Sequence, residues 1–237
     1  VSKIIFVLLA SIAVVMLPSY KNLSLYSSSY KITNFSSEDA FLAVSMTKLI
    51  ENERNLPNFE VLEKGLSGLS CLKEGNQLNQ DHILTIIDFS LPSTEKRLWV
   101  LDLKEGKTMV HSLVAHGRNT GELFAEEFSN KPESYTSSLG FYVTGDKYEG
   151  SHGLSMYLDG KEKDINHLAR ERAIVMHAAD YATEEFIREN GRLGRSFGCP
   201  SVPPEINETI IETIAGGTCL FIFANDSEYL SQSVYIN

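Results

Sequence analysis

Cysteine is scarce in this chain of 237 residues, which has three, and tryptophan scarcer still, with one. No Cys-x-x-Cys or His-x-x-x-His pair occurs, so the usual ligand spacings of a zinc centre are missing. Positive charge is in deficit as well. Lys and Arg number 21 against 31 Asp and Glu, a net charge of −10 with no basic run to offset it. That balance excludes nucleic acid as a partner, because phosphate binding needs an excess of Lys and Arg. Internal repeats and low-complexity tracts are absent too, which speaks against a solenoid or a disordered tail. What is present is ordinary globular material, 43% hydrophobic and 22% charged.

Long apolar runs are rare apart from one. Lys3 is followed by Ile4 to Leu17, broken only by Ser11. A membrane-spanning helix needs roughly 20 apolar residues and a signal-peptide core about 7 to 15. The run therefore reads as a signal peptide, but no clean small-x-small cleavage site stands near Leu17–Tyr20. Cleaved signal, uncleaved membrane anchor and buried N-terminal helix stay open as alternatives. The first two place the working protein outside the cytoplasmic membrane. Residues 1–24 are accordingly set apart from the fold.

Ser24 to Ser37 is rich in Ser, Tyr and Asn and reads as a linker. Helical spacing follows in "EDAFLAVSMTKLIENE" and in "PNFEVLEKGLSGLS", the second weakened by Gly65 and Gly68. Residues 25–80 are thus linker and helical segment. From His82 the period changes to two. "HILTIIDFS", "KRLWVLDL", "KTMVHSLVAHG", "SLGFYVTG", "RAIVMHA" and "TCLFIFA" read as strands, with His82 and His111 inside them. Helices are expected at "ADYATEEFIRENG", capped by Asp180 and stopped by Gly191, and at "PPEINETIIETIAGG". The class is mostly β with small helices, plus an N-terminal helical segment.

The chemistry points to one loop, "GRLGRSFGCPSVPPE". Cys199 stands there among Gly191, Gly194, Gly198, Arg192 and Arg195, and Pro200 prevents a regular strand from continuing. A thiol on a loop beside cations has the surroundings of a nucleophile. Backbone N–H groups at Gly198 and Cys199 are candidate oxyanion donors. His177 ends an apolar strand one short helix upstream, which makes it the candidate base. The residues alone leave a plain glycine-rich turn and a satisfied structural histidine as alternatives. A zinc site of Cys199, His177 and His152 lacks supporting spacing, so no metal and no cofactor is expected. Three cysteines make an odd set in an oxidising compartment. A Cys71–Cys219 bridge would leave Cys199 as the thiol, and the sequence does not decide that pairing.

The blocks "VAHGRNTG", "FSN", "SSLGFYVTG", "YEGSHGLSMYL", "RAIVMHAADY" and "GRLGRSFGCPSVP", in this order, resemble the L,D-transpeptidase catalytic-domain (YkuD-like) family, in its branch of exported murein proteins. The resemblance runs from about Asp81 to near the C-terminus, so 81–237 is expected to be the catalytic domain. It implies a β-sandwich-like catalytic fold with Cys199 as nucleophile and His177 as base. Ser196, Gly198 and Cys199 match a Ser-x-Gly-Cys signature. The better-known branch carries histidine where Phe197 stands and arginine where Ser201 stands, and glycine often follows the base where this chain has Ala178. The implied substrate is a peptidoglycan stem tetrapeptide, with Arg195, Ser196 and His152 as substrate-binding candidates and Arg192 and Arg118 as further carboxylate partners. The implied products are D-alanine and a new amide, a cross-link between third residues or a protein attachment. L,D-carboxypeptidase activity at the same site and a catalytically inactive peptidoglycan-binding module are the alternatives. Oligomeric state is not legible.

Overall fold

The computed structural model describes residues 37–237, so the expectations for the signal or anchor and for most of the linker fall outside the described residues. Helices α1 (Ser37–Asn52) and α2 (Phe59–Glu74) form where helical spacing predicts them. Asn58 caps α2 by accepting a hydrogen bond from the Glu60 N–H. Val61, Leu62, Leu66, Leu69 and Leu72 give α2 one buried face. The two glycines that weaken the helix in sequence belong to that face. A Cβ on Gly68 would stand 2.1 Å from the Phe141 ring, so glycine is what lets the helix lie this close to the sheet. Among the described residues, no helix is long and apolar enough to cross a membrane.

Eight strands make one mixed sheet: β1 (Ile83–Asp88), β2 (Leu98–Asp102), β3 (Lys107–Ser112), β4 (Gly140–Gly150), β5 (Gly153–Gly160), β6 (Val175–Ala178), β7 (Ser201–Val202) and β8 (Cys219–Phe223). Their spatial order is β3-β2-β1-β8-β4-β5-β6-β7. β1 runs parallel to β8 and β6 to β7, while the other neighbours are antiparallel. Beyond β3 the chain continues to bridges of Ala115 with Ser201 and Gly117 with Ser196. These bring the two edges together, and the sheet nearly closes on itself. The fold is therefore mostly β with small helices.

β1 and β8 are buried at every residue, as expected of central strands covered on both faces. One apolar cluster joins them to both helices through Met46, Leu49, Leu62, Ile86, Phe141 and Phe221. The helix α4 (Pro204–Ile214) presents Ile210, Ile211 and Ile214 to the same core. Helix α3 (Glu184–Asn190) stops at Gly191 as expected, but its cap is Thr183, whose hydroxyl accepts from the Phe186 N–H. Asp180 instead opens a single 3-10 turn, Asp180–Ala182. His82 precedes β1 rather than lying in it. A C-terminal helix, α5 (Ser227–Gln232), is clasped by buried Glu162, which accepts from Tyr229 Oη, Ser233 Oγ and the Phe141 N–H.

Cys219 is buried inside β8 and Cys71 is exposed on α2, and no disulfide joins them.

Candidate active site

The closure of the sheet is what builds the site. Parallel pairing puts His177 of β6 opposite Ser201 of β7, two residues beyond Cys199. The loop 191–200 arrives there across the strip 114–118: Ser196 N–H donates to His116 O at 3.0 Å, and Arg118 N–H donates to Ser196 O at 2.8 Å.

That strip rests on a buried cation. Arg97 is fully buried and donates to the carbonyls of Val114 and Leu91 and to Nδ1 of His116, the last at 2.8 Å. A guanidinium only donates, so Nδ1 of His116 carries the lone pair and its Nε2–H donates to Gly121 O at 3.2 Å. An imidazolium has no lone pair for Arg97. Burial first, and then the charge of Arg97, push His116 down to about 4. The unfolded chain thus binds a proton at this residue that the folded chain does not, between the ordinary value near 6.5 and about 4. Its stabilisation is present above that window and is lost as pH falls through it, about 3 kcal/mol in all. Urea unfolding at pH 7 and pH 4.5 should show this loss in the wild type and a smaller one in His116→Gln, which keeps an acceptor for Arg97 without titrating. Asp88 and Glu162 are pushed up by burial and act in the opposite direction in both proteins, so the difference between the two isolates His116.

The turn carrying the thiol is fixed from within. Ser196 is buried, and its hydroxyl donates to Cys199 O at 2.6 Å and accepts from Gly198 N–H at 3.0 Å. Ser196 thus holds the turn, and Gly198 N–H is taken. The Cys199 N–H, like that of Phe197, has no hydrogen-bond partner among the described residues. Gly198 lies at φ +121°, and a Cβ there would stand 2.7 Å from Thr136 O. Only glycine permits that approach without strain.

Cys199 is partly buried. Its Sγ accepts from Val175 N–H at 3.5 Å and reaches Ala173 O at 3.7 Å. Burial pushes the thiol up, while the Val175 N–H and the charge of Arg172 act against burial. His177 is buried, and its Nδ1 lies 2.8 Å from Ala178 O. A carbonyl only accepts, so Nδ1 carries the hydrogen and Nε2 the lone pair. Nε2 accepts from Ser201 Oγ at 3.1 Å, and Tyr181 Oη lies 3.1 Å from the same hydroxyl. Burial holds His177 below the ordinary histidine value, the Ala178 carbonyl opposes that, and His152 adds to it. Cys199 stands two residues before β7, the strand that pairs with the His177 strand, and no hydrogen bond joins imidazole and thiol among the described residues. His152, on the turn between β4 and β5, stacks on His177 with ring centroids 4.7 Å apart.

Of the cations named from sequence, two are occupied. Arg192 and Arg195 both pair with Glu122, at 2.9 and 2.5 Å. Arg118 is exposed and lies over the rings of Tyr135 and Phe197, at 5.1 and 5.5 Å, with no carboxylate on it among the described residues. Phe197 is 65% exposed and rests against Tyr135, which is itself held at φ +57°. Arg172, which nothing in the sequence singles out, is a further cation whose charge bears on Cys199. Among the described residues, no group of three or more metal-ligating side chains is assembled.

A family model of the L,D-transpeptidase catalytic domain matches residues 53–223. No curated protein sequence matches the chain. Similar solved structures include an L,D-transpeptidase from Mycobacterium smegmatis, at 12% identity and TM-score 0.39, covering 60% of this chain and 59% of that one. An L,D-transpeptidase from Stackebrandtia nassauensis is similar at 12% identity and TM-score 0.39, covering 80% and 78%. The helical cell shape determining protein Pgp2 from Campylobacter jejuni is similar at 14% identity and TM-score 0.37, covering 61% and 48%. The chain spans about three fifths of the length of the first of these.

Proposed function

The chain belongs to the L,D-transpeptidase catalytic-domain family, and from that premise we propose that it is an exported cysteine acyltransferase acting on peptidoglycan stem tetrapeptides. The observation that supports this reading is the Cys199 thiol on a turn fixed by Ser196, two residues before Ser201, whose hydroxyl donates to Nε2 of the buried His177.

The Cys199 thiolate attacks the carbonyl of the third stem residue, in the bond from an L-centre to D-alanine. The Cys199 N–H faces the oxygen that gains charge. His177 accepts the thiol proton at Nε2, in exchange for the Ser201 hydroxyl, and returns it to the leaving nitrogen. The C–N bond breaks, D-alanine departs with that proton, and a thioester remains on Sγ. An acceptor amine from a second stem or from a protein then attacks the thioester, restores the thiol and forms the new amide. Export fits the apolar N-terminal run, since the polymer lies outside the cytoplasmic membrane.

Arg118 is the residue we assign to a substrate carboxylate, in place of Arg195. It is exposed beside the turn and pairs with no acid among the described residues, whereas Arg192 and Arg195 hold Glu122. A charge-assisted hydrogen bond is worth about 1.5–3 kcal/mol. Arg118→Gln should therefore raise KM about tenfold or more and change kcat little, while Arg195→Gln has a smaller effect on KM.

Incubation of the protein with a stem tetrapeptide, with and without an acceptor amine, tests the reading. Free D-alanine together with an acceptor-linked product is the expected result. Tripeptide alone in both incubations identifies an L,D-carboxypeptidase. Binding to murein with no D-alanine released identifies a binding module and overturns the assignment.

A further inference from the structure

Arg172 is a half-buried guanidinium whose hydrogen bonds all go to neutral oxygens. Nη1 donates to Ser129 O at 2.7 Å and to Ser138 Oγ, and Nη2 donates to Ser134 Oγ at 3.1 Å and Thr136 O at 2.8 Å. It pairs with no carboxylate among the described residues, in contrast to Arg170, Arg192 and Arg195. A desolvated cation without a counter-charge is costly, and arginine does not relieve that cost by losing its proton. Such a charge calls for an anion.

The backbone beyond Arg172 leads to one. Ala173 lies at φ +53°, a conformation that non-glycine residues rarely take. The chain then wraps the sulfur, with Ala173 O and Val175 N–H both on Cys199 Sγ. From the other side, the carbonyl of Thr136 that binds Arg172 also fills the space against Gly198. Guanidinium and nucleophile turn therefore share the wall formed by residues 129–138. Of the other charged groups near the turn, Arg118 is exposed over Phe197 and Arg195 is paired with Glu122. Tyr181, on the 3-10 turn, reaches Ser201. His177 on β6 holds its proton toward Ala178 and its lone pair toward Ser201. His152 stacks behind His177.

We propose that Arg172 is the resident counter-cation of the Cys199 thiolate, a positioning residue that favours ionisation of the sulfur independently of His177. The inference rests on Cys199 being the nucleophile of the proposed reaction. It assigns the charge partner of the sulfur to an arginine and leaves His177 free for proton transfer. Burial and Arg172 pull the thiol in opposite directions, and removal of the cation leaves burial unopposed except by the Val175 N–H.

The test is the pH dependence of Cys199 alkylation by iodoacetamide, followed by peptide mass mapping so that exposed Cys71 is counted separately. Arg172→Gln should move the midpoint of the rate profile upward by about one pH unit, about a tenfold slower reaction at neutral pH. Arg172→Lys keeps a charge and loses the fork of hydrogen bonds, and it should retain most of the wild-type midpoint. An unchanged midpoint in Arg172→Gln overturns the proposal. So does a midpoint in Arg172→Lys that rises as far as in Arg172→Gln, since the hydrogen bonds to residues 129–138 would then be what matters. Should Arg172→Gln fail to fold, Ser134→Asp decides, since it sets a carboxylate against Nη2: the midpoint should again rise, and an unchanged midpoint overturns the proposal. Iodoacetamide requires no stem peptide, so a protein that releases no D-alanine still yields this profile, and the two readings fail separately.

Discussion

Cys199→Ala is expected to reduce D-alanine release and acceptor linkage to background, a loss of about 10³-fold or more. No other thiol can substitute. Cys219 is sealed inside β8, where burial keeps its thiol protonated, and Cys71 is exposed on α2. The fold should survive the change. Among the described residues the sulfur makes two hydrogen-bond contacts, at 3.5 and 3.7 Å, and the turn is held by Ser196 rather than by the cysteine side chain. Wild-type thermal stability with no D-alanine release is the predicted pair of results. Release at the wild-type rate would remove Cys199 from the mechanism.

His177→Gln is expected to slow acyl transfer by about 10² to 10⁴-fold. Glutamine can accept from Ser201 and donate to Ala178 in the manner of the imidazole, so the β6–β7 pair keeps its hydrogen bonds. It cannot take up a proton. The pH profile separates loss of the base from mere loosening of the site. Burial holds His177 below the ordinary histidine value, so the acid limb of the wild-type kcat/KM profile should fall below pH 6.5. In His177→Gln that limb should vanish while residual activity persists. Persistence of the limb in the variant would assign it to another group, with His152 the nearest imidazole.

Much of this arrangement is legible from sequence for a simple reason. The central strands are continuous apolar runs, so "HILTIIDFS" and "TCLFIFA" announce themselves. β5 was open to the same reading through Leu154, Met156 and Leu158, whose alternation places them on one face. β7 was not, because two residues form a strand only by virtue of the partners that β6 and Ala115 supply. Gly65 and Gly68 read as helix breakers in isolation, and their purpose appears only once Ile86 and Phe141 press against them.

At the site, Cys199 and His177 are proposed from local signals, a glycine-rich loop and a strand-end histidine. The roles of Ser196 and Arg195 are not local. Each depends on what the closing sheet brings up: the backbone of the turn for Ser196, and Glu122 for Arg195. Arg172 is the clearest case. Its partners lie 34 to 43 residues away in the chain, and nothing within "KDINHLARER" sets it apart from its charged neighbours. Phe197, a departure from the better-known motif, is neither core nor empty surface, since it forms one side of the aromatic pair beneath Arg118.

The most direct measurement is the intact mass of the protein after exposure to a carbapenem, a strained cyclic amide that offers its carbonyl to an activated thiolate. A single adduct of one carbapenem mass, mapped to the peptide carrying Cys199 and absent from Cys199→Ala, is the predicted result. An unmodified Cys199 under conditions where the folded protein still binds murein would contradict a nucleophilic cysteine at this site.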